Sequence, residues 1–164
     1  MYISSDTNIW IDFQIVSALE LPFKLSHKFY LSEETLKDEL LTPPGIDEHL
    51  ISFGLISLEL TEEEFFYVSS IVGKHPQLSR YDALALAIAK KRGFVLLTGD
   101  LRLRKAAAEE GVEVRGTIWI FDELLHEKII DEQEYIQFMK KLKQHNGKVI
   151  RLPMSEIEKR IKKS

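Results

Sequence analysis

Four acidic residues are candidates for chemistry: Asp6, Glu39, Asp82 and Asp100. Each has an ordinary explanation when taken singly. Asp82 stands three residues after Ser79, the spacing of a capping box, and Asp6 and Asp100 could simply cap helices. Glu39 could be a solvated helix residue beside Asp38. Gathered together, they would repel one another, raise each other's pKa and destabilise the fold unless a cation neutralised them. Such a set is the pattern expected of a divalent-metal site that activates water. The chain has no cysteine, which excludes a disulfide framework and a thiolate zinc site. Its five histidines (His27, His49, His75, His126 and His145) show no metal spacing and read as structural or surface residues. Oxygen-only ligands select a hard cation, Mg²⁺ or Mn²⁺.

The elements that must position these residues alternate between short apolar strands and amphipathic helices, the mark of a three-layer α/β/α sandwich around a mainly parallel sheet. Strands are expected near Met1–Ser4, Lys28–Leu31, Leu55–Leu60, Phe94–Leu97 and Val112–Val114. Helices are expected from Thr7, after Ser32, after Thr61 with Phe65, Phe66, Val68 and Ile71 as its apolar residues, over Arg80–Arg92, and over Leu101–Glu110. Pro43-Pro44-Gly45 breaks the helix after Ser32, and Gly93 ends Arg80–Arg92. Asp6 and Asp100 then follow strands, and Asp82 opens a helix, so all three share the rim where a doubly wound sheet binds ligands. Glu39, near the end of its helix beside Leu36 and Leu40, should lean its carboxylate inward.

Beyond Gly116 the pattern is helical, over Ile118–Leu125, Glu132–Lys143 and Glu156–Lys163, which makes residues 126–164 a helical carboxyl-terminal extension of a single domain with its core at about 1–125. The 164 residues suffice for one such domain, and no internal repeat divides them. The composition, 45% hydrophobic and 29% charged, is that of a globular protein. Residues 140–164 carry nine Lys or Arg and two Glu, a balance of +7, against −11 over the remainder and −4 overall. No apolar run approaches the roughly 20 residues that span a bilayer, and no secretory leader is visible, so the expected setting is cytoplasmic.

Four segments carry a family resemblance: Ser4-Ser5-Asp6-Thr7-Asn8, Leu36-Lys37-Asp38-Glu39-Leu40, Tyr81-Asp82-Ala83-Leu84-Ala85-Leu86-Ala87 and Leu96-Leu97-Thr98-Gly99-Asp100. In order and spacing they resemble the motifs of the PIN-domain nucleases, over roughly residues 1–125. The resemblance implies that Asp6, Glu39, Asp82 and Asp100 hold one or two Mg²⁺ or Mn²⁺ ions, directly or through water. It also implies that Asn8 and Thr98 orient a carboxylate or a water, and that the substrate is RNA. Similarity to the VapC-like toxins further implies a homodimer and a small antitoxin that blocks the site, although the chain runs about 40 residues past the usual core.

The chemistry so implied is hydrolysis of RNA phosphodiesters by in-line attack of activated water, leaving a 5′-phosphate and a 3′-hydroxyl. Arg102, Arg104 and Lys105 follow Asp100 and are candidates for flanking phosphate contacts. A haloacid-dehalogenase-type phosphotransferase would carry a second Asp where Asn8 stands, and no G-x-G-x-x-G or P-loop string is present. A non-catalytic PIN module, used for nucleic-acid or protein binding, is the alternative.

Overall fold

Strands that are apolar on both faces and joined through helices pair in parallel, since each crossover carries a helix onto one face of the sheet. The computed structural model describes residues 1–147 and 152–163. Among them, β1 (Tyr2–Ser5), β2 (Lys28–Ser32), β3 (Ile56–Leu58), β4 (Val95–Leu97) and β5 (Val114–Arg115) form a sheet in the order β3-β2-β1-β4-β5. Every adjacent pair is parallel. The chain builds outward from β1 to β3, then returns to lay β4 on the other side of β1. The order therefore reverses between β1 and β4, and a crevice at the carboxyl ends of the strands belongs there.

The helices are α1 (Thr7–Ile15), α2 (Glu33–Asp38), α3 (Ile46–Phe53), α4 (Glu62–Lys74), α5 (Arg80–Arg92), α6 (Leu101–Glu109), α7 (Thr117–His126), α8 (Glu132–His145) and α9 (Met154–Lys162). Alternation along β4 assigns the two faces. Val95 and Leu97 join a core with Trp10 and Phe13 of α1, Leu50 of α3, Phe121 of α7 and Met139 of α8. Leu96 points the other way, toward Val68 and Ile71 of α4, Leu84 and Leu86 of α5, and Leu103 of α6. The result is the expected α/β/α sandwich.

Several elements differ from the sequence expectation. α3 is an addition to it, although Ile46, Leu50 and Phe53 keep helical spacing; Ile46 and Leu50 are buried. α2 ends at Asp38, so Glu39 is the residue that caps it rather than one inside it. On α4 only Val68 and Ile71 reach the core, while Phe66 is 71% exposed. The last strand is shorter and later than Val112–Val114. α9 packs back on the molecule through buried Ile157, and Arg160 binds Asp122 of α7. The expected basic tail lies partly outside the described residues, with Lys148 and Arg151 among those not covered. Among the described residues no helix is long and apolar enough to cross a membrane.

One acidic residue belongs to the scaffold rather than the rim. Asp12 of α1 is buried, and its Oδ2 accepts a 2.9 Å hydrogen bond from the Thr117 hydroxyl that opens α7. Burial pushes its carboxyl up to about 7, with the Thr117 bond opposing. A carboxyl whose folded pKa is raised stabilises the fold below its unfolded pKa, and that stability is lost as pH rises from about 4 to about 7. Asp12→Asn should therefore be more stable than the parent at pH 8, by up to about 4 kcal/mol, and equal to it near pH 4. Denaturant midpoints across that range measure this, and a pH-independent difference would contradict it.

Candidate active site

The rim is built outward from the end of β1. Ser4 donates to the Ala85 carbonyl of α5, and Ser5 donates to the Tyr30 carbonyl while accepting from the Trp10 indole. Both serine side chains are thus committed to packing, and the first free functional group is Asp6. Its backbone N–H extends the β1–β4 ladder to the Leu97 carbonyl at 2.9 Å. Although Asp6 occupies the cap position of α1, its carboxylate makes no capping bond. Instead Oδ2 accepts from Thr98 Oγ1 at 2.9 Å, and the same hydroxyl accepts from the Asp100 backbone N–H at 3.1 Å. Thr98 therefore ties the two strand ends together.

Asp82 and Asp100 do cap their helices, each with one oxygen. Asp82 Oδ2 accepts from Ser79 N in a full capping box, and Asp100 Oδ1 accepts from Leu103 N at 2.9 Å. The second oxygen of each has no hydrogen bond among the described residues. Glu39 arrives from α2, which is tied to the start of α5 by the Arg80–Glu34 ion pair and by Tyr81 donating to Asp38. The residue as a whole is exposed, yet its Oε1 accepts a 2.9 Å bond from buried Thr7.

The four charges act on one another. Burial pushes the Asp6 carboxyl up to about 7, the Asp82 and Glu39 charges push the same way, and the Thr98 bond opposes them. Glu39 is raised by burial first and also by Asp82, against the Thr7 bond. Asp82 is raised by burial first, against its two bonds to Ser79, with the Asp100 charge adding to the rise. Among the described residues none of the four is ion-paired with a Lys or Arg. Equally, among those residues no three acidic or imidazole side chains lie close enough to share an ion as they stand. The donor chemistry suits a hard cation.

Other expected positions divide. Thr98 lies where a carboxylate-orienting residue is expected. Asn8 is exposed and its side chain makes no hydrogen bond among the described residues, while the hydroxyl of the neighbouring Thr7, which is not among the expected site residues, bonds Glu39. A hydroxyl next to Asp6 at the first helical position is the signal that points to it. Arg102, Arg104 and Lys105 are all exposed; of the three, Arg104 bends back far enough for its Nε to donate to the Thr98 carbonyl at 3.1 Å. The carboxyl-terminal extension reaches this turn as well. Two hydrogen bonds clamp Asn146 to Leu152, and Leu152 Cδ2 lies 4.0 Å from where a Cβ on Gly99 would sit.

A fold of this order with carboxylates at its switch point defines a class, and comparison with known proteins names it. The sequence matches the family described as DUF3368: PIN domain over residues 2–164, and the chain belongs to that family. No curated protein matches it. Two solved structures are similar in fold. A PilT N-terminus domain protein from the archaeon Sulfolobus solfataricus P2 has a TM-score of 0.52 and 14% identity, covering 76% of this chain and 94% of the other. The structure of VapBC2 from Rickettsia felis, bound to a DNA fragment from their promoter, has a TM-score of 0.52 and 15% identity over 71% of this chain and 98% of the other.

The hydrogen bond into Asp6 can be tested directly. Thr98→Val removes the donor that holds the Asp6 carboxyl down, so its pKa should climb further above about 7, by about one unit. A carbon-13 titration of the side-chain carboxyl reads this, and an unmoved midpoint would show that the bond has no electrostatic role.

Proposed function

We propose that this PIN-domain chain is an Mg²⁺- or Mn²⁺-dependent endoribonuclease. The observation that carries the reading is the rim itself: Asp6, Glu39, Asp82 and Asp100 raise one another's energy at the sheet's switch point, and no basic side chain among the described residues compensates them. A fold tolerates such repulsion where a bound cation relieves it. Asp6, buried and fixed by Thr98, is the anchor of the ion site, with Glu39, Asp82 and Asp100 holding the ion directly or through water. When bound, the ion would lower the pKa of water and offset charge on the phosphate. The protein's own part is to fix the carboxylates in place: Thr98 and Thr7 orient Asp6 and Glu39, and the Ser79 and Leu103 amides hold Asp82 and Asp100. The products are a 5′-phosphate and a 3′-hydroxyl.

The likeness to a VapBC structure supports a narrower role, as the toxin half of a pair whose small antitoxin covers the rim in a cytoplasmic homodimer. Residues 126–164 would then be an addition to a core of about 1–125 within one domain, set against the turn bearing Asp100 through Leu152.

Purified protein incubated with mixed-sequence RNA and Mn²⁺ tests the reading. Cleavage should need the metal, stop with EDTA, and fall about 100-fold or more in Asp6→Asn, the scale on which removing one preorganised electrostatic group acts. A 2′,3′-cyclic phosphate product would contradict water attack. Absence of both cleavage and Mn²⁺ binding would favour the alternative, a PIN fold used only for binding.

A further inference from the structure

Six arginines lie within the described residues, and four of them are ion-paired: Arg80 with Glu34, Arg92 with Glu64, Arg115 with Glu113, and Arg160 with Asp122. Arg102 and Arg104 have no carboxylate partner among the described residues. Arg102 is exposed on α6 without a hydrogen bond, a solvated helix residue. Arg104 is built in. Its Nε donates to the Thr98 carbonyl at 3.1 Å, and a Cβ on Gly116 would lie 2.7 Å from its Nη2. One end of the guanidinium, Nη2, therefore points at a residue that has no side chain, with Cζ farther off at 3.9 Å from the same position.

Gly116 is not required by the backbone. Its φ of −130° and ψ of −177° are open to any residue, and it caps α7 without a side-chain bond. A Cβ there would meet only the end of the guanidinium, which would have to shift aside. One residue, Thr98, then fixes both charges: its carbonyl holds Arg104, and its hydroxyl donates to Asp6 and accepts from Asp100. With Nε occupied, the four N–H donors on Nη1 and Nη2 remain in one rigid plane beside the rim, and no carboxylate among the described residues takes them. A cation held this way, yet not used to neutralise its acidic neighbours, suits a planar anion brought from outside. A phosphodiester oxygen pair matches that fork.

We infer that Arg104 is a phosphate-binding residue for RNA entering the rim, held by the Thr98 carbonyl, and that Gly116 leaves room for its guanidinium. The inference rests on the ribonuclease reading for its choice of ligand. It separates Arg104 from Arg102 and Lys105, and it assigns a ligand-binding purpose to a glycine remote from the carboxylates in sequence.

Fluorescence anisotropy with labelled mixed-sequence single-stranded RNA, titrated at several salt concentrations in Mg²⁺, tests it in the non-cleaving Asp6→Asn background. Adding Arg104→Ala should weaken binding about tenfold and flatten the salt slope by about 0.7, the share of one phosphate contact on a single strand. Gly116→Ala keeps every charge but makes the end of the guanidinium shift, and should cost a smaller part of that loss. Arg104→Lys should recover part of it, and Arg102→Ala should change binding less than twofold. In the otherwise unaltered protein, Arg104→Ala should leave the affinity for Mn²⁺ unchanged by calorimetry, which a purely structural role in holding Thr98 would not. Wild-type affinity and slope in Arg104→Ala, a silent Gly116→Ala, or no RNA binding in the background itself would each overturn the inference. Should the unaltered protein neither cleave RNA nor bind Mn²⁺ while the Arg104 effect persists, the ribonuclease reading fails and this one stands.

Discussion

The Thr98 hydroxyl is the joint on which the rim depends. It donates to Asp6 at the end of β1 and accepts from the backbone of Asp100 after β4, 92 residues from Asp6 in sequence. Parallel pairing of β1 with β4 brings the two strand ends side by side, and the hydroxyl then fixes their functional groups to one another. Replaced by an apolar residue of the same shape, it would leave a buried carboxylate with one fewer donor and a helix start without its acceptor. Unsatisfied buried polar groups of this kind are among the costlier defects a fold can carry.

Around that joint, the ion-paired carboxylates of the scaffold and those of the rim behave in opposite ways. Glu64 and Glu110 lie below the usual carboxylate range because hydrogen bonds from Arg92 and Lys74, respectively, favour their charged forms. Asp6, Glu39 and Asp82 are raised, mainly by burial, with neighbouring carboxylates adding to it. The first group stitches helices together, as Arg92–Glu64 does between α5 and α4. The second holds negative charge in place without compensation. That contrast is local, since the same chain pairs its acids elsewhere, and it marks the rim as the place where charge is kept available.

Much of this architecture is legible in the residues themselves. The capping boxes at Thr61 and Ser79, the αL glycine at Gly93 and the continuous apolar run of β4 each fix an element through local chemistry, and all are present. What the residues do not reveal is decided by contacts distant in sequence. α3 carries Asp47, Glu48 and His49 between its apolar residues and follows two prolines, so it reads as a loop until Ile46 and Leu50 find a core. Phe65 and Phe66 look like core and are exposed because α4 turns Val68 and Ile71 inward instead. Asn8 and Thr7 are adjacent polar residues, and only the approach of Glu39 distinguishes them. The basic triplet after Asp100 is likewise uniform in sequence. The Thr98 carbonyl, at the end of β4, distinguishes Arg104 from the other two.

The placement of β1 also orders how the charges meet as the molecule assembles. Glu39 is linked to the rim by a bond spanning 32 residues, Thr98 to Asp6 by one spanning 92, and a longer loop costs more entropy to close. In the unfolded chain the four carboxylates are far apart and screened. Their repulsion arises only when α5 and the ends of the strands come together at the rim. Tension of this kind, absent from the unfolded chain, weighs on the folded state alone. An ion settling into the rim would then act chiefly as a lock, lengthening the time between openings of a sheet that had closed without it.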